Sequence, residues 1–139
     1  MRRHQAVYML VVGFVLEVSP KVLAGEDATF TTIDFPGASL TSAQGITPSG
    51  DIVGSYTSAD VSHGFLLRGG EFNSIDFPGA SYTAALGINR GGDIVGLYFI
   101  GDGGHGFLLS GGGNFTTINF PGASLTSAVG INPRGDIVG

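Results

Sequence analysis

The chain contains no cysteine, so neither a disulfide framework nor a thiolate metal ligand or nucleophile is available to it. Its apolar core must hold it together unaided. Basic residues are scarce as well, six Lys and Arg against eleven Asp and Glu, for a net charge of −5. Nucleic-acid binding needs clustered Lys and Arg to neutralise phosphates, so that class is excluded, and an anionic membrane surface is disfavoured on the same ground. A membrane span needs roughly 18–20 apolar residues. The apolar run at the N-terminus, Ala6 to Leu16, has eleven and stops at Glu17. Beyond residue 24 no sustained i, i+3, i+4, i+7 apolar spacing occurs, which predicts low helix content.

What is present at the N-terminus reads as a processing signal. Arg2 and Arg3 give a positive start, Ala6 to Leu16 an apolar stretch, and Val22-Leu23-Ala24 small residues at the −3 and −1 positions of a cleavage site. The expectation is a secretory signal peptide over residues 1–24, with a retained anchor as the alternative, and secreted, extracellular or periplasmic localisation. The remaining residues 25–139 carry three basic side chains, Arg68, Arg90 and Arg134, against ten acidic ones, a net charge of −7.

Those residues say one thing three times. Phe30-Thr-Thr-Ile-Asp-Phe-Pro-Gly-Ala-Ser returns as Phe72-Asn-Ser-Ile-Asp-Phe-Pro-Gly-Ala-Ser and as Phe115-Thr-Thr-Ile-Asn-Phe-Pro-Gly-Ala-Ser, 42 and then 43 residues on. Each copy leads to Gly-Asp-Ile-Val-Gly, ending at Gly54, Gly96 and Gly139. A period of this size marks a repeat architecture, here with repeats 30–71, 72–114 and 115–139, the last truncated. Within the first, Phe30–Phe35, Leu40–Ile46, Asp51–Tyr56 and His63–Leu67 read as strands from their β-branched and aromatic content. Phe35-Pro36-Gly37-Ala38 has the residues of a type II turn. Thr57 to Ser62 reads as a polar loop, and Arg68-Gly69-Gly70-Glu71 as a hairpin. The 25 glycines recur at fixed repeat positions, which marks turns and not a disordered linker.

Four short strands every 42–43 residues have the length of a propeller repeat of ~40–45 residues. Ile52-Val53 and Phe65-Leu66-Leu67 are apolar on both faces, as strands buried on both sides require. The expectation is an all-β fold of tandem four-stranded antiparallel blades in a partial, open propeller-like array, with a β-sandwich ranked second. Propellers use about 4–8 blades, and three copies do not close a ring. The stop at Gly139, inside a predicted strand, points to a fragment, with self-association completing the propeller as the other route.

The unit Phe-x-x-Ile-Asp-Phe-Pro-Gly-Ala-x-x-Thr, continuing through Gly-Asp-Ile-Val-Gly-x-Tyr to His-Gly-Phe-Leu, resembles the HAF family of extracellular bacterial repeats, named for a His-Ala-Phe tripeptide. His63-Gly64-Phe65 and His105-Gly106-Phe107 match that tripeptide with Gly in place of Ala. The resemblance spans residues 30–139 and implies secretion, tandem β-repeats and propeller-like assembly. It implies no catalytic activity.

The polar residues of the repeat are read as structural. His63 and His105 recur singly, without the His-x-His or His-x₃-His spacing that chelates a metal. Asp51, Asp93 and Asp136 follow glycine at each hairpin and suit turn carboxylates, with pairing to the repeated histidines as a further way to rivet a blade. Asp34 and Asp76 become Asn119 in the third copy, which a catalytic acid or base does not tolerate. Ser39, Ser81 and Ser124 lie outside a Gly-x-Ser-x-Gly elbow. Asp102, flanked by glycines, lacks the alternating acidic spacing of a calcium loop. No metal or cofactor is expected. Loops held on a rigid scaffold carry binding determinants, so the candidates for contact with an unidentified protein or glycan surface partner are Tyr56, Arg90, Tyr98, Phe99 and Arg134. The function expected is a secreted, noncatalytic extracellular or cell-surface scaffold. The competing reading is part of a larger propeller hydrolase or lyase whose catalytic residues lie outside this chain.

Overall fold

The computed structural model describes residues 29–139, and the expected signal peptide, residues 1–24, lies outside them. The described strands are β1 (Leu40–Ile46), β2 (Ile52–Ser58), β3 (Val61–Arg68), β4 (Glu71–Ile75), β5 (Tyr82–Ile88), β6 (Ile94–Ile100), β7 (Gly103–Leu109), β8 (Phe115–Ile118), β9 (Gly130–Ile131) and β10 (Ile137–Val138). No helix occurs among the described residues. The fold is all-β, and residues Ile33–Gly139 cluster as one compact unit.

Eight strands form one mixed sheet, and β9 with β10 form a separate two-stranded ladder. Consecutive strands β1 to β4 pair antiparallel, as do β5 to β8. The two groups are joined by a parallel pairing, Ser62 opposite Tyr82. The same parallel bridge recurs at Gly104 and Leu125, where the third copy begins to add on. The sequence period is thus a period of structure. Gly54 faces Phe65 as Gly96 faces Phe107, and Tyr56 faces His63 as Tyr98 faces His105. Even the bulge repeats, between Ala43 and Gly45 and again between Ala85 and Gly87.

Two expectations about the elements need correction. Residues 30–35 form no strand, although their equivalents are β4 and β8. Those strands pair backwards, Phe72 opposite Leu67 and Phe115 opposite Leu109, each on the last strand of the copy before it. Among the described residues no copy precedes residue 30, so that segment has no ladder to join. The antiparallel group therefore runs from 40 to 75, out of phase with the sequence repeat. Nor is Thr57–Ser62 a loop, for β2 and β3 extend through it and leave only Ala59 and Asp60 at the tip. Both have positive φ, 48° and 63°, the condition for a type I′ hairpin whose twist matches its strands.

The core lies between the two groups, built from Val53, Ile75, Ala85, Ile94, Tyr98 and Phe107. Phe65 and Phe107 are fully buried, each with ring atoms Cε1 and Cζ against the glycine opposite. A Cβ on Gly54 would come 2.8 Å from the Phe65 ring, and one on Gly96 2.7 Å from Phe107. The carbonyls of Ser42 and Ala84 on the paired strands lie closer still to such a Cβ, as that of Ser127 does to one on Gly139, and this backbone approach explains the final glycine of Gly-Asp-Ile-Val-Gly.

Candidate functional site

The Phe-Pro-Gly-Ala segment is a hydrogen-bonded turn in all three copies. Ala38, Ala80 and Ala123 N–H donate to the carbonyls of Phe35, Phe77 and Phe120 at 3.1, 3.0 and 3.1 Å. The glycines sit at φ of 78°, 80° and 82°, as a type II turn demands. A threonine then locks each turn onto its strand: Thr41, Thr83 and Thr126 Oγ1 accept from Phe35, Phe77 and Phe120 N–H at 3.0, 3.1 and 2.9 Å.

The turn aims its phenylalanine at the tyrosine two residues past Gly-Asp-Ile-Val-Gly. Phe35 stacks on Tyr56 with ring centroids 3.6 Å apart and an interplanar angle of 3°, and Phe77 stacks on Tyr98 with the same values. The histidine ring lies on the far side of each tyrosine, at 5.0 Å for His63 and 5.2 Å for His105. His63 Nδ1 hydrogen-bonds Asp76 Oδ1 at 2.6 Å, and His105 Nδ1 bonds Asn119 Oδ1 at 2.8 Å. The tyrosine hydroxyls meet Ser74 Oγ and Thr117 Oγ1 at 2.5 and 2.8 Å. Each column of Phe, Tyr and His thus ends on polar groups in, or one residue past, the next outer strand, β4 or β8.

The expected pairing of His with the turn aspartates is therefore corrected. The histidine partner is the Asp or Asn of Ile-Asp-Phe-Pro, one strand away. Asp51 instead receives Arg68, at 3.0 Å from Nε and 2.9 Å from a terminal guanidinium nitrogen. Asp93 accepts from Asn89 Nδ2 at 3.0 Å and from Gly111 N–H at 3.1 Å, and Asp136 accepts from Asn132 Nδ2 at 2.7 Å. Thr47, Asn89 and Asn132 bridge their turns by accepting the N–H of Asp51, Asp93 and Asp136. Asn89 Nδ2 also donates to Asn132 O at 3.2 Å, tying one turn to the next.

The candidate contact residues fall into two sets. Tyr56 and Tyr98 are buried, 8 % and 4 % exposed, and stand in the columns and not at a surface: stacking takes the ring and the outer strand takes the hydroxyl. Phe99 is half-buried, edge-on to Tyr82 at 5.5 Å. Arg90 is exposed and, among the described residues, makes no ion pair. Arg134 is exposed with Asp136 3.6 Å from its Nε. Arg90 and Arg134 do not converge with the tyrosines on one site, and among the described residues no group of three His, Asp or Glu has metal-holding geometry.

Among the described residues, two concavities bear on the site. A shallow one of about 190 Å³ lies between the 91–92 and 110–113 turns beside Arg68. The larger, about 630 Å³, lies in the third copy against Phe120, Pro121, Leu125, Ser127, Ala128 and Val138. Sequence reasoning did not single it out. The signal is that Phe120 is 73 % exposed while its equivalents Phe35 and Phe77 are half-buried under tyrosines. Searches against protein-family models, curated proteins and solved structures each return no match to this chain.

Proposed function

We propose that this chain is a secreted, noncatalytic β-repeat module serving as an extracellular or cell-surface scaffold, its four-stranded antiparallel groups acting as blades of an open propeller-like array. One observation carries the reading. In the first two copies the recurring histidines, tyrosines and turn aspartates are engaged by neighbouring strands and turns, which leaves the scaffold itself as the repeated product. The exchange of Asp76 for Asn119 without loss of the histidine contact supports a hydrogen-bonding and not a titrating role at that position. The resemblance to HAF repeats rests on the repeated residues and supports the same reading. Exposed Arg90 and Arg134, the second beside Asp136, are the polar handles for a protein or glycan partner on the hairpin tips.

The test is expression of the full chain in a bacterial host, fractionation, and mass spectrometry of the product's N-terminus. A chain beginning at Gly25 in the periplasm or medium is expected. An uncleaved chain retained in the cytoplasm would remove the secretion half of the proposal. Binding of the purified protein to glycan arrays and host-surface extracts, compared with Arg90→Ala and Arg134→Ala variants, tests the interaction half.

A further inference from the structure

One row of side chains crosses the sheet at the end where β1 and β5 begin. Its ladder partners run Thr57, Ser62, Tyr82, Phe99, Gly104 and Leu125, and partners in a ladder carry their side chains on one face. In the first copy the row is polar and satisfied, with Thr57 Oγ1 and Ser62 Oγ hydrogen-bonded at 3.2 Å. The second copy has Phe99 at the position of Thr57, Ile100 at that of Ser58 and Gly104 at that of Ser62. Tyr82 stands where the first and third copies have Leu40 and Leu125. The first copy builds the same ladder without any of these residues, so the fold does not require them. Departures gathered at one end of one hairpin, in a repeat otherwise copied closely, mark a site.

The two rings are held in place and left accessible. Phe99 lies across Gly104, where a Cβ would come 2.9 Å from its Cε1. Tyr82 stands edge-on to Phe99, with ring centroids 5.5 Å apart at 86°. Leu125 of the third copy already lies against Gly104, and both rings stay half-buried beside it. Ile100, 45 % exposed, extends the apolar surface. The hydroxyls of Tyr56 and Tyr98 bond Ser74 and Thr117, whereas that of Tyr82 has no hydrogen-bond partner among the described residues. Nor has the exposed carboxylate of Asp102, at the tip of the same hairpin. This end carries Asp34, Asp60, Asp76 and Asp102, while Arg68, Arg90 and Arg134 sit at or beyond the opposite strand ends.

Charge and shape select the ligand. The carboxylates at this end repel an anion. A cation is held by aromatic rings whose faces converge on it as a cage, and these two rings are instead packed edge to face on one another. A neutral pyranose suits them: its apolar C–H face lies on the negative face of an aromatic ring, and a few placed polar groups at the rim fix its orientation. We propose that Tyr82 and Phe99 form a binding platform for a neutral glycan. A sugar ring stacks on them through its C–H face, the Tyr82 hydroxyl bonds one of its hydroxyls, and the Asp102 carboxylate accepts from another. This rests on the interaction half of the proposed function, but not on secretion or on the exposed arginines.

The experiment is affinity electrophoresis of the purified full chain through native gels holding a neutral β-glucan, galactomannan or arabinoxylan, with polygalacturonate as the charged counterpart and a polysaccharide-free gel as reference. Retarded migration in at least one neutral gel is expected, with affinity lowered at least about tenfold by Phe99→Thr and by Tyr82→Leu. Each substitution brings in the residue that another copy holds at the same ladder position, so the ladder accepts it, and an unchanged far-UV spectrum verifies the fold. No retardation in any neutral gel, or retardation that both variants keep, overturns the proposal. Retardation by polygalacturonate alone also overturns it and assigns the interaction to the arginines, in which case the proposed function stands without this platform.

Discussion

A phenylalanine at the same repeat position does different work depending on what lies over it. Phe77 is stacked on Tyr98 and packed edge-on against Phe115 at 5.1 Å, whereas Phe120 is mostly exposed. Phe77→Ala is expected to cost about 2–4 kcal/mol, near the lower part of the range for buried aromatics, and Phe120→Ala less than about 0.5 kcal/mol. Urea denaturation of the two variants measures the difference, and equal losses would contradict the exposed position of the Phe120 side chain. Gly96→Ala should cost at least about 2 kcal/mol by overpacking against the Ala84 carbonyl and the Phe107 ring. The histidine contacts give a subtler case. Because Asn119 holds His105 as Asp76 holds His63, Asp76→Asn is expected to stay within about 0.5 kcal/mol of the parent, while His63→Ala loses the hydrogen bond and the Tyr56 stack for about 1–2 kcal/mol. If Asp76→Asn costs as much as His63→Ala, the carboxylate charge matters after all. At this scale the sequence told much: the type II turns at Gly37, Gly79 and Gly122 followed from Pro-Gly, and the Asp-to-Asn change pointed to a hydrogen-bonding role. It was silent on which polar group meets which, because His63 and Asp76 lie 13 residues apart and either carboxylate of the repeat suits an imidazole.

Strands were legible where their partners are local. Leu40–Ile46 is a strand with the bounds read from the sequence, since its partner β2 follows one turn later. Residues 30–35 have the same composition as β8 and yet form no strand, because composition gives the tendency and a neighbour gives the ladder. The hairpin at Ala59 and Asp60 was missed for a related reason. Alanine at φ of 48° goes against its preference by roughly 1–2 kcal/mol, and the pairing of β2 with β3 overrides it. Ala59→Gly, which relieves that conformation, is expected to stabilise the chain by a few tenths of a kcal/mol up to about 1 kcal/mol, read from the shift in urea midpoint; a clear loss would show that the methyl group has a contact to lose. Hydrogen exchange grades the elements further. Amides of β6, paired on both edges, should exchange slowest. Those of the short β9–β10 ladder should exchange fastest, since few contacts oppose local opening there.

Across the molecule, each four-stranded group takes three strands from one copy and the fourth from the next. Ending the chain after Asn114, a boundary of the sequence repeat, strips β8 from β7 and takes Phe115 from between Phe77 and Phe107. Ending it after Phe120 keeps the eight-stranded sheet whole. The shorter variant is expected to melt several degrees below the longer one, and coincident melting curves would mean that β8 contributes nothing to its neighbour.

That offset also bears on how such an array is copied. Because the structural group and the written repeat are out of step, no point along the period is privileged. Duplicating any window of one period, wherever it starts, adds three strands to one group and the closing strand to another. A slip during replication therefore lengthens the protein without having to find a fold boundary. The sole requirement is that the inserted length match the period, and the 42- and 43-residue copies here show that one residue of slack, taken up at a glycine-rich tip, is tolerated.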